Sequence, residues 1–464
     1  MIRFVPATIL SALLVLAALP VRAAVEIQEV TSPGGIDAWL VEEHSLPFTA
    51  LEIRFKGGTA LDAPGKRGAV NLMAATLEEG AGDLDAQEFA AAREALAASF
   101  SFDAYGDAVS VSARFLTENR DQAVGLLRSA LVDPRFDPEA IDRVRAQVLS
   151  IIRSDAQEPG RIASATFDRL AFGDHPYGSD SNGTLDSVAG LTRDDLLAAK
   201  DATMARDRIY VGAVGDITPE ELGALLDRLL GGLPETGAPM PDRAEYLLEG
   251  GLTVVPFDTP QSVILFGEQG IKRDDPDFFA AYVVNQIFGG SGFNSRLMEE
   301  VREKRGLTYG IGTYLAPMDH AELLMGQAST VNARAAETVA QVRAEWRRLA
   351  EQGVTPEELD QAKTYLTGAY PLRFDGNGTI AGILVGMQLD DLPIDYIDTR
   401  NDRIEAVTLD EANRVATRLY RPDDLAFVVV GQPEGLGNAA AGSGSVAPAA
   451  APAVEAEAGA AADR

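Results

Sequence analysis

The chain has 464 residues, with 40 Lys and Arg against 70 Asp and Glu, giving a formal charge of −30. At about 100–200 residues per domain this length predicts two to four domains, and 46% hydrophobic with 24% charged residues excludes wholesale disorder. The acidic balance argues against a nucleic-acid partner, which needs a clustered basic surface. The absence of cysteine excludes disulfides, thiolate metal sites and a cysteine nucleophile. Three histidines are present, His44, His175 and His320.

Residues 1–23 read as a secretory signal: Arg3 supplies a positive charge, an apolar run follows from Phe4 to Leu19, and Val21-Arg22-Ala23 offers a small residue for cleavage. The run falls short of the ~20 residues a membrane span needs, and no later segment is apolar enough to replace it. The expectation is a periplasmic or otherwise exported protein with no membrane span after cleavage. In the next 100 residues, Trp39-Leu40-Val41 and Ala50-Leu51-Glu52-Ile53-Arg54-Phe55 read as strands around a turn at His44-Ser45-Leu46-Pro47, and 108–115 alternates as a half-buried strand does. Helical patterns cover 68–79, 85–98, 120–132, 138–153 and 192–205. Strand pairs followed by runs of helices predict an α+β fold, with helices packed on a largely antiparallel sheet. Glycine and proline around Glu235 mark a linker at 233–245, and from 434 to 464 Ala, Gly, Ser, Pro and Glu predict a disordered tail.

The chain repeats itself. Thr192 and Thr408 open similar helices 216 residues apart, and Gly215 and Gly431 close similar apolar strands at the same offset. Phe136-Asp137-Pro138-Glu139 and Val354-Thr355-Pro356-Glu357 match at an offset of 218, each reading as a capping residue, a proline at the first helical position and acids on the positive helix end. Two homologous domains, 24–232 and 246–433, follow from these matches.

Two segments carry chemistry. Phe55-Lys56-Gly57-Gly58, then Gly65-Lys66-Arg67-Gly68-Ala69-Val70-Asn71-Leu72-Met73-Ala74-Ala75, with Gly173-Asp174-His175-Pro176-Tyr177-Gly178 further on, resembles the pitrilysin/insulinase type of zinc peptidase, and the resemblance spans nearly the whole mature chain. It implies a clamshell half built of two related domains. Active members carry H-x-x-E-H on the first helix, two zinc ligands on one helix face with a glutamate that polarises water. Here Asn71 and Ala75 stand at the histidine positions, Ala74 at the glutamate base, and Ile151 where the resemblance implies a third ligand from a later helix. Alanine and isoleucine cannot coordinate a metal, and the histidines, 131 and 145 residues apart, show no ligand spacing. A metal-free chain is the expectation.

The second segment, Gly289-Gly290-Ser291-Gly292-Phe293-Asn294-Ser295-Arg296 through Arg302-Glu303-Lys304-Arg305-Gly306-Leu307-Thr308-Tyr309, is similar to the family's second-domain signature, marked by Arg302 and Tyr309 seven residues apart. Taken singly, Arg302 reads as a helix charge opposite Glu299 or Glu303 and Tyr309 as a half-buried strand residue. The resemblance implies instead that the pair assists the zinc centre of an opposing domain, a fixed cation and a phenolic donor for a developing oxyanion. Gly289, Gly290 and Gly292 could line a peptide path or simply end a helix. A chain with the Arg/Tyr pair and no metal ligands resembles the non-zinc subunit of a heterodimeric peptidase, its zinc carried by an H-x-x-E-H partner and its substrates peptides. The rival readings are a peptide-holding chamber without hydrolysis, and a scaffold subunit like the degenerate family members of the respiratory bc-type complex.

Overall fold

The computed structural model describes residues 26–290 and 294–437. The expected export signal, Gly292 and all but the first residues of the expected tail lie outside them. The first half opens with β1 (Gln28–Thr31), β2 (Asp37–Glu42) and β3 (Phe48–Lys56), followed by α1 (Ala69–Thr76), a short hairpin of β4 (Gly80–Ala81) and β5 (Leu84–Asp85), and α2 (Ala86–Ala95). It continues through β6 (Ser99–Ala104), β7 (Ala108–Leu116), α3 (Arg120–Val132), α4 (Pro138–Asp155), α5 (Pro159–Phe172), α6 (Leu185–Ala189), α7 (Arg193–Thr203), β8 (Ile209–Gly215) and α8 (Pro219–Leu230). The second half runs β9 (Gly251–Pro256), β10 (Gln261–Gln269), α9 (Phe278–Gly289), β11 (Ile311–Pro317), β12 (Glu322–Val331), α10 (Ala335–Gln352), α11 (Pro356–Ala369), α12 (Asn377–Leu389), α13 (Tyr396–Ala406), α14 (Leu409–Leu419) and β13 (Ala426–Gly431).

The two sheets share one topology over five strands, the first carrying β1 as an additional edge strand. The first is ordered β1-β2-β8-β3-β7-β6 and the second β9-β13-β10-β12-β11. Each holds one parallel pair, β2 with β8 and β9 with β13, among antiparallel neighbours. The fold is therefore α+β with largely antiparallel sheets, as the element pattern predicts. Helix starts obey local chemistry: the Thr192, Thr355 and Thr408 hydroxyls each accept a hydrogen bond from the backbone N–H three residues on, closing capping boxes. Asp137 departs from the expected cap. Its carboxylate accepts from Arg135 Nε at 2.7 Å instead and makes no cap to α4.

One face of each sheet carries its own helices. In the first half Leu51, Ile53, Phe55, Val109 and Val111 pack under α1, α3, α4, α7 and α8, and in the second Phe266, Trp346, Phe288 and Tyr420 form an aromatic cluster. The opposite faces are covered reciprocally. Phe167 and Ala163 of α5, from the first half, pack on Leu265, Met325 and Val428 of the second sheet. Ala381 and Leu384 of α12, from the second half, pack on Val214 of the first sheet beside Trp39. The approach is close: a Cβ on Gly212 of β8 would sit 2.5 Å from the Ala381 carbonyl oxygen, so only glycine fits beneath α12. The segment between the halves is pinned rather than loose, with Ala238 N donating to Ala202 O at 2.9 Å and Ala244 N to His320 O at 2.8 Å.

Candidate functional site

Helix α1 begins at Gly68, whose φ of 93° suits glycine. Its first turn is held by Asp62, a nearly buried carboxylate that accepts from Gly68 N and Val70 N, both at 2.8 Å, and pairs with Arg67 at 3.1 Å. Burial pushes the Asp62 carboxyl up even though these donors favour its charged form. Val70, Leu72 and Met73 anchor the helix in the core. Of the four positions singled out from the sequence, Ala74 is buried, Ala75 is exposed, and Ile151 on the neighbouring α4 is 48% exposed. Asn71 Nδ2 donates to Asn182 Oδ1 at 3.0 Å. As a donor set for zinc these four do not fit, since two alanines and an isoleucine have no lone pair to offer and the one amide is held by another.

Arg302 and Tyr309 lie on a structure of a different kind. Met298–Glu303 forms a single π-helical turn, a rare conformation that often occurs at functional sites. Gly306, at φ 59°, then turns the chain, its N–H donating to Arg302 O at 2.8 Å. Glu300 fixes the turn from beneath. It is nearly buried and accepts from Lys304 Nζ and Arg305 Nη1, each at 2.8 Å, with Arg348 at 3.6 Å. These cations hold its carboxyl down at about 2. Thr308 ties the loop to β12, its hydroxyl donating to Ser329 O at 2.7 Å.

The consequence is presentation. Tyr309 is not the half-buried strand residue its neighbours in sequence suggest: it precedes β11 and is 88% exposed. Arg302 lies 3.8 Å from Glu303, in the geometry of an ordinary helix charge, yet it lines the same cleft of about 460 Å³ as Tyr309, with Gln261 and Val331. Tyr309 also borders an adjoining cleft of about 820 Å³ that contains Gly289 and Gly290. Glu158 and Gly160, at the start of α5, reach this second cleft from the first half. Four of the residues marked by sequence therefore converge on two neighbouring clefts, while the α1/α4 positions belong to neither. Glu158 carries no motif that would have marked it, and Glu300 and Thr308 lie within the signature segment without being singled out by it; three glutamates among four basic residues at 296–305 are the one legible hint.

The histidines fall into three settings. His44 is on the surface between Asp216, at 2.8 Å, and Glu42, at 3.1 Å, which raise its pKa. His175 caps a turn, its Nδ1 accepting from Tyr177 N at 3.2 Å and its Nε2 donating to Asp242 O at 3.0 Å. His320 is buried where the halves meet, its ring centroid 6.2 Å from that of His175, and burial lowers its pKa. Beside it, Asp107 accepts from the Tyr177 hydroxyl and from Asp319 N, and Lys56 approaches Asp319 at 3.4 Å. Asp107, Asp319 and His320 are the only group of possible metal ligands brought together among the described residues.

Known proteins resemble this chain over most of its length. Residues 190–366 match the Peptidase M16 inactive domain family. A non-peptidase homolog of Helicobacter pylori, YmxG, is 27% identical over 389 residues, covering 84% of this chain and 90% of that protein. An uncharacterized zinc protease of Rickettsia bellii is 24% identical over 327 residues, covering 70% and 78%. The crystal structure of a peptidase M16 inactive domain from Pseudomonas fluorescens superposes with a TM-score of 0.82 at 29% identity, covering 88% of this chain and 98% of that one. A protease from Helicobacter pylori shares the fold at a TM-score of 0.79 and 16% identity over 87% and 99%.

Proposed function

We propose, from the premise that this chain belongs to the M16, pitrilysin-type peptidase family as one of its inactive members, that it is the non-zinc subunit of an exported heterodimeric zinc peptidase. In this reading the chain binds no zinc of its own, and a partner of the same family carries H-x-x-E-H and the metal. This chain lends Arg302 and Tyr309 to the hydrolysis of peptides. The observation that carries the proposal is the contrast between the two sets of residues. Asn71, Ala74, Ala75 and Ile151 offer no ligand and no base, whereas Tyr309 stands 88% exposed beside Arg302 on a turn braced by Glu300. A tyrosine serving only packing would bury its ring. The export signal read at residues 1–23 supports a periplasmic setting.

The chemistry follows from the side chains. A peptide carbonyl under attack gathers negative charge on oxygen, and a phenolic donor with a guanidinium nearby stabilises that charge more than it stabilises the substrate. The adjoining cleft gives an extended peptide room beside Tyr309, and Gly289 and Gly290 on its wall are glycines because Thr313 and Gln286 approach too closely for a side chain.

The test is reconstitution. The chain is co-purified from its native host, its H-x-x-E-H partner is identified by mass spectrometry, and the complex is assayed on an unstructured peptide. Tyr309→Phe should lower kcat and kcat/KM together by about 10²–10³ without loss of assembly, and Arg302→Lys should also fail, because a point charge does not replace a planar fork. Full activity in both variants would refute the assignment. Stoichiometric zinc and chelator-sensitive cleavage by the chain alone would refute the subunit reading itself.

A further inference from the structure

A pocket of about 500 Å³, within the usual range for small-molecule sites, lies where α9, α12 and α13 meet and shares no residue with the Arg302/Tyr309 clefts. Its charge is unlike that of the chain. Arg54, Arg273, Arg373 and Arg400 line it against one carboxylate, Asp390, in a protein of net charge −30.

Two of these arginines are fixed by stacking. The Arg400 guanidinium lies over the Tyr370 ring at 4.2 Å and Arg273 over Phe278 at 4.3 Å, contacts that set the plane of each cation and leave its edges to donate. Arg400 Nη1 is engaged with Leu366 O and Asn401 Oδ1, and Arg273 with the Tyr396 hydroxyl at 2.9 Å and Asp390 at 3.5 Å. The Arg373 side chain makes no hydrogen bond or ion pair with any described residue.

The floor of the pocket is the glycine side of α12. Gly382 and Gly386 line it, and with Gly378 they recur every four residues along one helix face. A Cβ added at any of the three would meet nothing within 4 Å, so no contact inside the chain requires glycine there. Glycine weakens a helix interior relative to alanine. The opposite face of α12 is closed by Ala381, Leu384 and the bond from Gln388 Nε2 to Val211 O at 2.8 Å. A helix docked firmly on one side and stripped of side chains on the other leaves space for a ligand.

We propose that this pocket binds the terminal carboxylate of a peptide whose last residue is aromatic. The planar two-oxygen group matches the fork of Arg373, the lining arginine whose side chain has no hydrogen-bond or ion-pair partner among the described residues, and a monoanion suits a site that also holds Asp390. The aromatic side chain lies against Phe278 and Phe279, and the peptide backbone runs over the glycines. The choice of a peptide as the source rests on the peptidase reading; the anion pocket itself does not.

The experiment is calorimetric titration of the full chain with N-acetyl-L-phenylalanine, its neutral amide and phenyl phosphate. The acid should bind at least about tenfold more tightly than the amide, and Arg373→Gln should remove that difference. Gly386→Leu fills the pocket with a better helix former and should abolish binding while the thermal midpoint stays at or above that of the wild type. Equal affinity for acid and amide, no binding by the wild-type chain, or undiminished binding by Gly386→Leu would each overturn the proposal, as would tighter binding of phenyl phosphate, which would assign the site to a phosphate. These titrations need neither partner nor hydrolysis, so their failure leaves the roles of Arg302 and Tyr309 intact.

Discussion

Phe167 tests whether the reciprocal helix exchange joins the halves into one thermodynamic unit. Its ring is fully buried on the sheet of the other half, beside Leu265, Met325 and Val428. Phe167→Ala removes a whole aromatic side chain from a close-packed interface, a loss of about 3–5 kcal/mol, which is a large share of the ~5–15 kcal/mol that holds a typical protein folded. Nature has placed one tryptophan in each half, Trp39 against α12 and Trp346 in the second core, so 5-fluorotryptophan labelling and 19F NMR report both in one molecule. In urea the two native resonances of the wild type should disappear together. In Phe167→Ala both should disappear at lower urea, by roughly 1 M for a chain whose m-value exceeds that of small domains. The refuting result is a Trp346 transition that moves while that of Trp39 stays where it was. The halves would then fold independently, with α5 merely resting on its neighbour.

Other predictions follow from single residues. Glu268 is fully buried and accepts from Trp346 Nε1 at 2.7 Å and Arg421 N at 3.0 Å, and burial pushes its carboxyl from 4.5 up to about 7. Because the folded value is the higher one, the stability it confers is complete below the unfolded pKa and is lost as pH rises through about 7, a fall of roughly 3 kcal/mol. Glu268→Gln should flatten the stability curve between about pH 5 and pH 8 and exceed the wild type at the upper end; parallel curves would refute the titration. Gly382→Ala should raise unfolding stability by about 0.5–1 kcal/mol, since its Cβ meets open space in a helix interior; a loss of stability would refute that open space. Asp62→Ala strands the Gly68 and Val70 N–H groups and takes from Arg67 its carboxylate partner, leaving that guanidinium only backbone carbonyls. It should cost about 3 kcal/mol by chemical denaturation, and a change below ~0.5 kcal/mol would show that water replaces the carboxylate.

Much of the fold was legible because its signals are local. Thr192 and Thr408 cap helices 216 residues apart as the repeat requires, and Gly215 and Gly431 end β8 and β13 at φ 142° and 151°, values few other residues adopt. Asp137 failed as a cap because Arg135, two residues away, competes for its carboxylate, a contest that composition does not resolve. The convergence of Gly289 and Gly290 with Tyr309 was half visible, since both lie in one segment, but the contribution of Glu158 from the other half was not. Sequence distance misled most at the histidines. His175 and His320, 145 residues apart, come within 6.2 Å ring to ring because the turn after α5 in the first half meets the β11–β12 hairpin of the second. Nor does any periodicity reveal that α5 and α12 cross over, for an amphipathic helix announces that it will be buried without saying against which sheet.

The exchange of α5 and α12 changes what the connecting segment is for. Each half, taken alone, would leave bare the sheet face that its sibling covers and would carry a greasy helix with nowhere to lie. A cut between Leu230 and Gly251 would thus sever the chain without parting the pieces, much as two clasped hands stay joined when the rope around the wrists is removed. The protein is in effect already a dimer whose two partners are held by exchanged helices as well as by the chain that joins them.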